Sequence, residues 1–194
     1  VGEFEEMYQK CKNPWPETEH DLDNNPVSSY TPSIISQQGF IKIFSLGIGS
    51  GLHAAWLKKK VPEISIEGCD ISETALKYCH KYHPEVRTYH MDVNAFIKKT
   101  IDFDLVILRE ILWYILPSWK NLMYSLAQKY EGKHILIEIT CYDNQTYGRE
   151  FFDGPEDIIK KFPFTLKDIV RHHVTPNQRE GMILLFGKIT KIDR

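Results

Sequence analysis

The sequence predicts an α/β fold: a seven-stranded mixed sheet with helices on both faces and a C-terminal antiparallel hairpin. Three observations predict it. From residue 31 onward, short apolar runs alternate with stretches of helical periodicity, the pattern of βαβ units around a parallel sheet. The first run passes directly into Gly47-Ile48-Gly49-Ser50-Gly51, a sharp turn from strand to helix where backbone can approach a ligand closely. The last thirty residues break the rhythm, with two strand-like runs joined by Thr175-Pro176-Asn177-Gln178, which reads as a hairpin.

The elements follow in order. Residues 1–30 are rich in turn formers, with Asn13-Pro14-Trp15-Pro16 and Asp23-Asn24-Asn25-Pro26, and read as an irregular N-terminal arm. The first strand is 41–46, followed by a helix near 51–60, a strand over 64–69 and a helix near 73–82 that Ser72 is placed to cap. Then come a strand at 86–90, a short helix at 93–99, a strand at 103–108, a longer helix within 110–130 and a strand at 134–140. A helix near 155–162 leads to the hairpin strands at 167–174 and 181–189. The 194 residues suit one core, so the chain divides into the arm, 1–30, and one domain, 31–194.

Composition narrows the function classes. With 24 basic and 26 acidic side chains, the formal charge of -2 gives no drive toward phosphate backbones, so nucleic acid is not favoured as a partner. Cys11, Cys69, Cys79 and Cys141 show neither CxxC nor Cys/His metal spacing, so no metal is expected, and Cys69 and Cys79 read as reduced core thiols of a cytoplasmic protein. No apolar run approaches the roughly 20 residues that span a bilayer. The run Lys58-Lys59-Lys60 ends a helix, where cations complement the macrodipole. Oligomeric state is left open.

The motifs lie at the carboxyl edge of the predicted sheet, where open α/β sheets bind ligands. GxGxG alone is compatible with a plain tight turn. Its context adds Asp70, nineteen residues after Gly51 at the end of the second strand, where a carboxylate can accept hydrogen bonds from both ribose hydroxyls of a nucleoside. Asp92, at the end of the third strand and followed by Val93, can accept from an adenine amino group or cap the helix it precedes. A dinucleotide site would show GxGxxG, and here the third-glycine position is Leu52.

Phe44-Ser-Leu-Gly-Ile-Gly-Ser-Gly51, Ile66-Glu-Gly-Cys-Asp-Ile-Ser-Glu-Thr-Ala-Leu76, His90-Met-Asp-Val93 and Phe103-Asp-Leu-Val-Ile-Leu-Arg-Glu-Ile-Leu-Trp-Tyr114 together resemble the four ordered motifs of the class I S-adenosylmethionine-dependent methyltransferases. The likeness spans roughly residues 40–140, and within the family it is nearest in look to small-molecule methyltransferases of the nodulation N-methyltransferase and thiopurine methyltransferase types. The resemblance implies a Rossmann-like domain over 31–194 that binds S-adenosylmethionine through Ser45, Gly47, Ile48, Gly49, Gly51, Asp70, Ile71, Asp92, Val93 and Arg109. One departure stands out: the family usually has Asp or Glu two residues before the first glycine, and this chain has Ser45. A hydroxyl there loses the charged interaction that helps to organise the loop.

Methyl transfer from a sulfonium needs orientation, desolvation and deprotonation of the acceptor rather than an obligatory catalytic motif. Candidates for proton transfer or for caging the acceptor are Glu110 after the fourth strand, Tyr114 one turn on, and Glu138 and Tyr142 near the end of the fifth. Each has a plain structural alternative, as a helix-start charge, a buried paired acid or a core aromatic. His53 follows the glycine loop and is placed near the cofactor or in solvent. The function expected is methylation of a small-molecule acceptor. The alternatives are an RNA or protein methyltransferase and a catalytically silent cofactor-binding protein. The arm carries Tyr8, Trp15 and Tyr30, large side chains that are costly to expose, and is expected to fold over the carboxyl edge as a lid with Trp15 and Tyr30 as its apolar contacts.

Overall fold

The computed structural model describes residues 2–142, 146–173 and 180–192, with the side chains of His173 and Glu180 left out. Seven strands form one sheet: β1 Lys42–Leu46, β2 Ser65–Asp70, β3 Arg87–His90, β4 Leu105–Arg109, β5 His134–Tyr142, β6 Thr165–His173 and β7 Glu180–Lys188. Their spatial order is β3-β2-β1-β4-β5-β7-β6. The first five run parallel, and β7 lies antiparallel between β5 and β6. The seven-stranded mixed sheet with a terminal antiparallel pair is therefore as expected; the turn expected at 175–178 lies outside the described residues.

Strand alternation sorts the apolar side chains into two layers. Phe44, Leu46, Val106, Leu108, Ile135 and Ile137 face one layer, covered by α6 Val93–Lys98, α7 Trp119–Lys129 and α8 Pro155–Lys160. Ile43, Ile66, Leu105, Ile107 and Leu136 face the other, covered by α3 Tyr30–Gln38, α4 Leu52–Lys60 and α5 Glu73–Tyr82. Trp56 of α4, 1% exposed, is the largest fully buried side chain.

Two local expectations are corrected. The arm is not irregular: it holds α1 Gly2–Lys10 and α2 Glu19–Asn24. Helix α2 starts on a capping box in which the Thr18 side chain accepts from the Asp21 N–H and the Asp21 side chain accepts from the Thr18 N–H, which satisfies two of the donors that a helix start leaves free. Helix α2 is tied to α4 by Trp56 Nε1, which donates to Asp23 Oδ1 at 2.8 Å. The long helix expected within 110–130 starts only at Trp119; two 3-10 turns, Leu112–Tyr114 and Leu116–Ser118, come before it. Pro117 explains the delay, since it lacks an N–H and disfavours helical backbone in the residue ahead of it.

Candidate active site

The glycine loop is built by its neighbours as much as by its own sequence. The Gly47 and Ile48 N–H groups both donate to the Cys69 carbonyl, tying the loop to the end of β2. Gly47, Gly49 and Gly51 all take positive φ, at 70°, 58° and 86°, the left-handed region that side chains disfavour. The Gly49 N–H donates to Asp70 Oδ2 at 2.8 Å, while Asp70 Oδ1 accepts from the Ser72 N–H at 2.9 Å. Burial raises the Asp70 pKa, and these backbone donors work against the rise. Asp70 thus ties the glycine loop to the end of β2 through its carboxyl group, while Ser45, on β1, is buried.

Helix α1 lies on this loop. A Cβ placed on Gly49 would meet the Tyr8 hydroxyl at 2.6 Å, so the glycine leaves room for that ring. Tyr8 is buried, and its pKa is pushed up by burial and by the Asp70 charge, against a hydrogen bond from the Ser50 backbone. Glu5, one turn earlier, accepts from the Ser72 and Thr74 hydroxyls at 2.7 and 2.5 Å and from the Thr74 N–H at 3.2 Å. Those bonds lower its pKa to about 2. On the other side of α1, the Phe4 ring meets Tyr114 edge-on with centroids 4.8 Å apart, and Trp15 packs against both Phe4 and Tyr8. Trp15, expected with Tyr30 to contact the sheet edge, meets Phe4 and Tyr8 of the arm itself, and Tyr30 is half-exposed.

At the ends of β4 and β5 the candidates separate into two groups. Arg109 forms a buried ion network: Nε donates to Glu138 Oε1 at 2.9 Å, and Nη1 and Nη2 donate to Glu17 of the arm at 3.0 and 2.5 Å. Ser28 Oγ also donates to Glu138 Oε1, at 2.5 Å. Burial works against the Arg109 charge, but Glu138 and Glu17 more than offset it, and its pKa is raised. Arg109 and Glu138 are thus engaged with the arm and with each other; Glu138 is wholly buried, and its Oε2 has no partner among the described residues. His53 stacks on Trp56, and burial, with Arg109 adding to it, holds its pKa well below the usual value.

Glu110 is placed differently. Among the described residues it is the non-glycine residue with positive φ, 54°, a conformation that costs about 1–3 kcal/mol and concentrates at functional positions. Its N–H donates to the Glu138 carbonyl, and its carboxyl group accepts from the Thr140 hydroxyl at 2.9 Å and the Thr140 N–H at 3.1 Å. Burial raises its pKa to about 7, with Glu138 adding to the rise and Thr140 and Arg109 opposing it. Tyr114 lies close enough for the Glu110 charge to raise its own pKa, after burial. Tyr114 is 51% exposed. Tyr142, at the end of β5, is half-exposed and lines a small cavity with Arg171 and His172.

Of the remaining predicted positions, Asp92 caps α6, accepting from the Ala95 N–H at 2.7 Å, and Ser72 caps α5. Ile48 is buried against Gly68, the Ile71 carbonyl pairs with His90 Nε2 at 3.0 Å, and Val93 packs at the edge of the core. The residues that sequence reasoning missed are Phe4, Glu5, Glu17, Ser28 and Thr140. Phe4 and Tyr8 stand at helical i, i+4 spacing, a signal obscured by the prolines that follow; Glu17 and Ser28 carry none.

These residues fit an S-adenosyl nucleoside: the Gly49 position admits nothing bulkier beneath Tyr8, and Asp70 keeps lone pairs beyond those its backbone donors use. Among the described residues, no helix is long and apolar enough to cross a membrane and no cluster of His, Cys, Asp or Glu could hold a metal ion. No curated protein sequence matches the chain significantly. The family model described as "Methyltransferase domain" matches residues 43–130. The N-methyltransferase NodS from Bradyrhizobium japonicum WM9, in complex with S-adenosyl-L-homocysteine, superposes with a TM-score of 0.64 at 15% identity, over 95% of this chain and 98% of that one. The plantazolicin methyltransferase BpumL, solved with a desmethyl plantazolicin analogue and S-adenosyl-L-homocysteine, gives 0.58 at 13% identity, over 87% and 88% of the two chains. The StiE O-methyltransferase segment 961–1257 gives 0.60 at 13% identity, over 96% and 82%. At those identities the structures speak for the fold, and the family model, which covers the glycine loop, Asp70, Asp92 and Glu110, marks residues 43–130 as similar to a methyltransferase domain, consistent with S-adenosylmethionine-dependent methyl transfer.

Proposed function

We propose that the chain methylates a small-molecule acceptor held between its N-terminal arm and the carboxyl edge of the sheet, with Glu110 taking the acceptor's proton. One observation carries this reading. The Glu110 carboxyl group is fixed by Thr140, brought to a pKa of about 7 by burial, and set beside the exposed Tyr114 ring that Phe4 of the arm covers on one side. A base is most effective when its pKa lies near the working pH.

When bound, S-adenosylmethionine supplies a methyl group on a good leaving sulfur. The glycine loop, Asp70, Ile71, Asp92 and Val93 hold it in this reading, and Ser45 and Ile48 support the loop from beneath. The arm supplies walls. Phe4, Tyr8 and Trp15 cover the edge, excluding water from the sulfonium and the acceptor. Arg109 and Glu138 fasten the arm through Glu17 and Ser28, so we assign them to positioning rather than to contact with the acceptor. Tyr114 and Tyr142 are left as walls of the acceptor space. NodS is an N-methyltransferase and BpumL a plantazolicin methyltransferase, which supports a small-molecule acceptor. Four free cysteines, three of them buried, suit a cytoplasmic protein.

The test is calorimetric titration with S-adenosylhomocysteine followed by an acceptor screen. Binding that weakens by about 1.5–3 kcal/mol in Asp70→Ala, the range for hydrogen bonds to a charged acceptor, supports the cofactor assignment; unchanged affinity would overturn it. Turnover of any small acceptor must fall in Glu110→Gln without loss of S-adenosylhomocysteine binding.

A further inference from the structure

The chemistry of the acceptor is written in what surrounds Glu110. Three rings from separate segments meet there: Phe4 on α1, Trp15 in the arm and Tyr114 after β4. Phe4 bridges the other two, and Trp15 and Tyr114 remain 43% and 51% exposed. Large aromatic faces left open at a site are costly unless a ligand covers them.

Carboxylates outnumber cations nearby. Glu110 acts on Tyr114 from below and Glu3 of α1 acts on it from the arm. Arg109, next along the chain, is held by two carboxylates, Glu17 and Glu138. Ring faces and carboxylates together attract a cation: the ring quadrupole is negative over its face, and Arg109, already paired with Glu17 and Glu138, offsets Glu110 only in part. A carboxylate acceptor would be repelled by Glu110 and Glu3, and a neutral alcohol would gain little from the rings.

We propose that the acceptor is an amine that enters as an ammonium cation, held against Tyr114 and Trp15 with Glu110 as its counter-ion and proton acceptor. The proposal rests on the methyltransferase reading above, with Glu110 as base. The step balances as follows. An N–H proton passes from the ammonium to the Glu110 carboxylate, freeing the nitrogen lone pair. That pair forms the N–CH3 bond while the S–CH3 bond breaks and its electrons stay on sulfur, which becomes a neutral thioether. The methylated nitrogen now carries the positive charge, and the Glu110 proton is returned to water.

Cation binding and Glu110 ionisation are linked. The groups facing Glu110 are Arg109 on β4, Glu138, Thr140 and Cys141 on β5, Tyr114 above it and Glu3 beyond that ring. Burial, with the Glu110 charge adding to it, pushes the Cys141 thiol up to about 12, so it stays neutral across the range tested. Glu110, with a pKa of about 7, is the group that titrates, and a cation that prefers the carboxylate binds in proportion to the fraction ionised.

The experiment uses the full chain saturated with S-adenosylhomocysteine and a cation that cannot be methylated. Choline is titrated against its uncharged carbon isostere, in which a quaternary carbon replaces the nitrogen, with calorimetry as the readout. Choline should bind at least about tenfold more tightly than the isostere near pH 8 and about tenfold more weakly near pH 6, as the ionised fraction of a group with pKa about 7 falls from roughly nine-tenths to one-tenth. Glu110→Gln should abolish the pH dependence and leave only the weaker preference that the rings supply, with S-adenosylhomocysteine binding intact, and Tyr114→Leu should weaken choline without moving the pH midpoint. Equal binding of cation and isostere, or a pH dependence that survives Glu110→Gln, would overturn the amine assignment alone. Failure of the wild-type chain to bind S-adenosylhomocysteine would overturn the methyltransferase reading and this proposal together.

Discussion

Gly49→Ala is the sharpest test of how the arm meets the cofactor loop. The substitution acts twice. At φ 58° an alanine takes the left-handed backbone that costs an L-residue about 1–2 kcal/mol. Its Cβ would also stand 2.6 Å from the Tyr8 hydroxyl, too close to coexist, so Tyr8 must leave a buried position. Losing part of an aromatic side chain's burial, worth about 1.5–3 kcal/mol in full, brings the total to about 3 kcal/mol. For a chain of this length that is a fall in Tm of about 6–12 °C. Scanning calorimetry of the wild type, Gly49→Ala, Tyr8→Ala and the double variant separates the parts. If Tyr8 is the obstacle, Gly49→Ala costs only the backbone share, about 1–2 kcal/mol, once Tyr8 is already alanine. An equal cost in both backgrounds would refute the contact, and a cost below about 0.5 kcal/mol would refute the left-handed loop as well.

Three further outcomes follow from the same geometry. Glu110 is an acid whose folded pKa, about 7, lies above its ordinary 4.5, so between those values the folded chain keeps a proton that the unfolded chain has lost. Stability from the neutral form is present below that window and lost as pH rises through it, by about 3 kcal/mol in full; Glu110→Gln should therefore flatten the decline in Tm between about pH 5 and about pH 8, and an unchanged slope would count against the buried carboxyl. Tyr8→Phe keeps the ring but releases the Ser50 N–H, so S-adenosylhomocysteine should bind about fivefold more tightly, the equivalent of one hydrogen bond of about 1 kcal/mol; weaker binding would make the phenol part of the cofactor's own contact set. Arg109→Met strands Glu138 without its partner and should cost about 3–5 kcal/mol, seen in urea unfolding, whereas a loss under about 1 kcal/mol would show that Ser28 alone suffices for Glu138.

The sheet was legible in the sequence because its signals are local. β1, β4 and β5 are apolar runs buried on both faces, Gly47, Gly49 and Gly51 mark a backbone path that other residues resist, and Asp70 stands at the end of a strand whose pairing puts it beside that loop. Glu110 was legible only as a position: nothing in its neighbours along the chain announces the left-handed backbone or the Thr140 donors, which come from thirty residues away. The arm misled for a related reason. Prolines and asparagines at 13–16 and 23–26 do break the chain, yet they break it between helices, and the capping box Thr18–Asp21 and the Phe4–Tyr8 stripe were the local marks of those helices. Trp15 was picked out by its size; Tyr8, smaller and less conspicuous, is the ring that reaches the loop.

What joins the arm to the chemistry is the order of residues at the end of β4. Arg109 and Glu110 are consecutive, so the chain turns one toward the arm and the other toward Thr140 and Tyr114. Arg109 takes Glu17 from the arm and Glu138 from β5, while the Glu110 N–H takes the Glu138 backbone carbonyl. The arm is thereby fastened to the same two strand ends that carry Glu110 and Thr140. Glu5 fastens the other end of the arm to the start of α5, two residues from Asp70. Undocking the arm would remove Glu17 from Arg109 and leave a cation beside Glu110 less well compensated, and a nearby positive charge lowers a carboxyl pKa. In the proposed reading, docking of the arm would therefore do more than exclude water: by offsetting Arg109 it would keep the Glu110 carboxyl more basic than it is with the arm undocked.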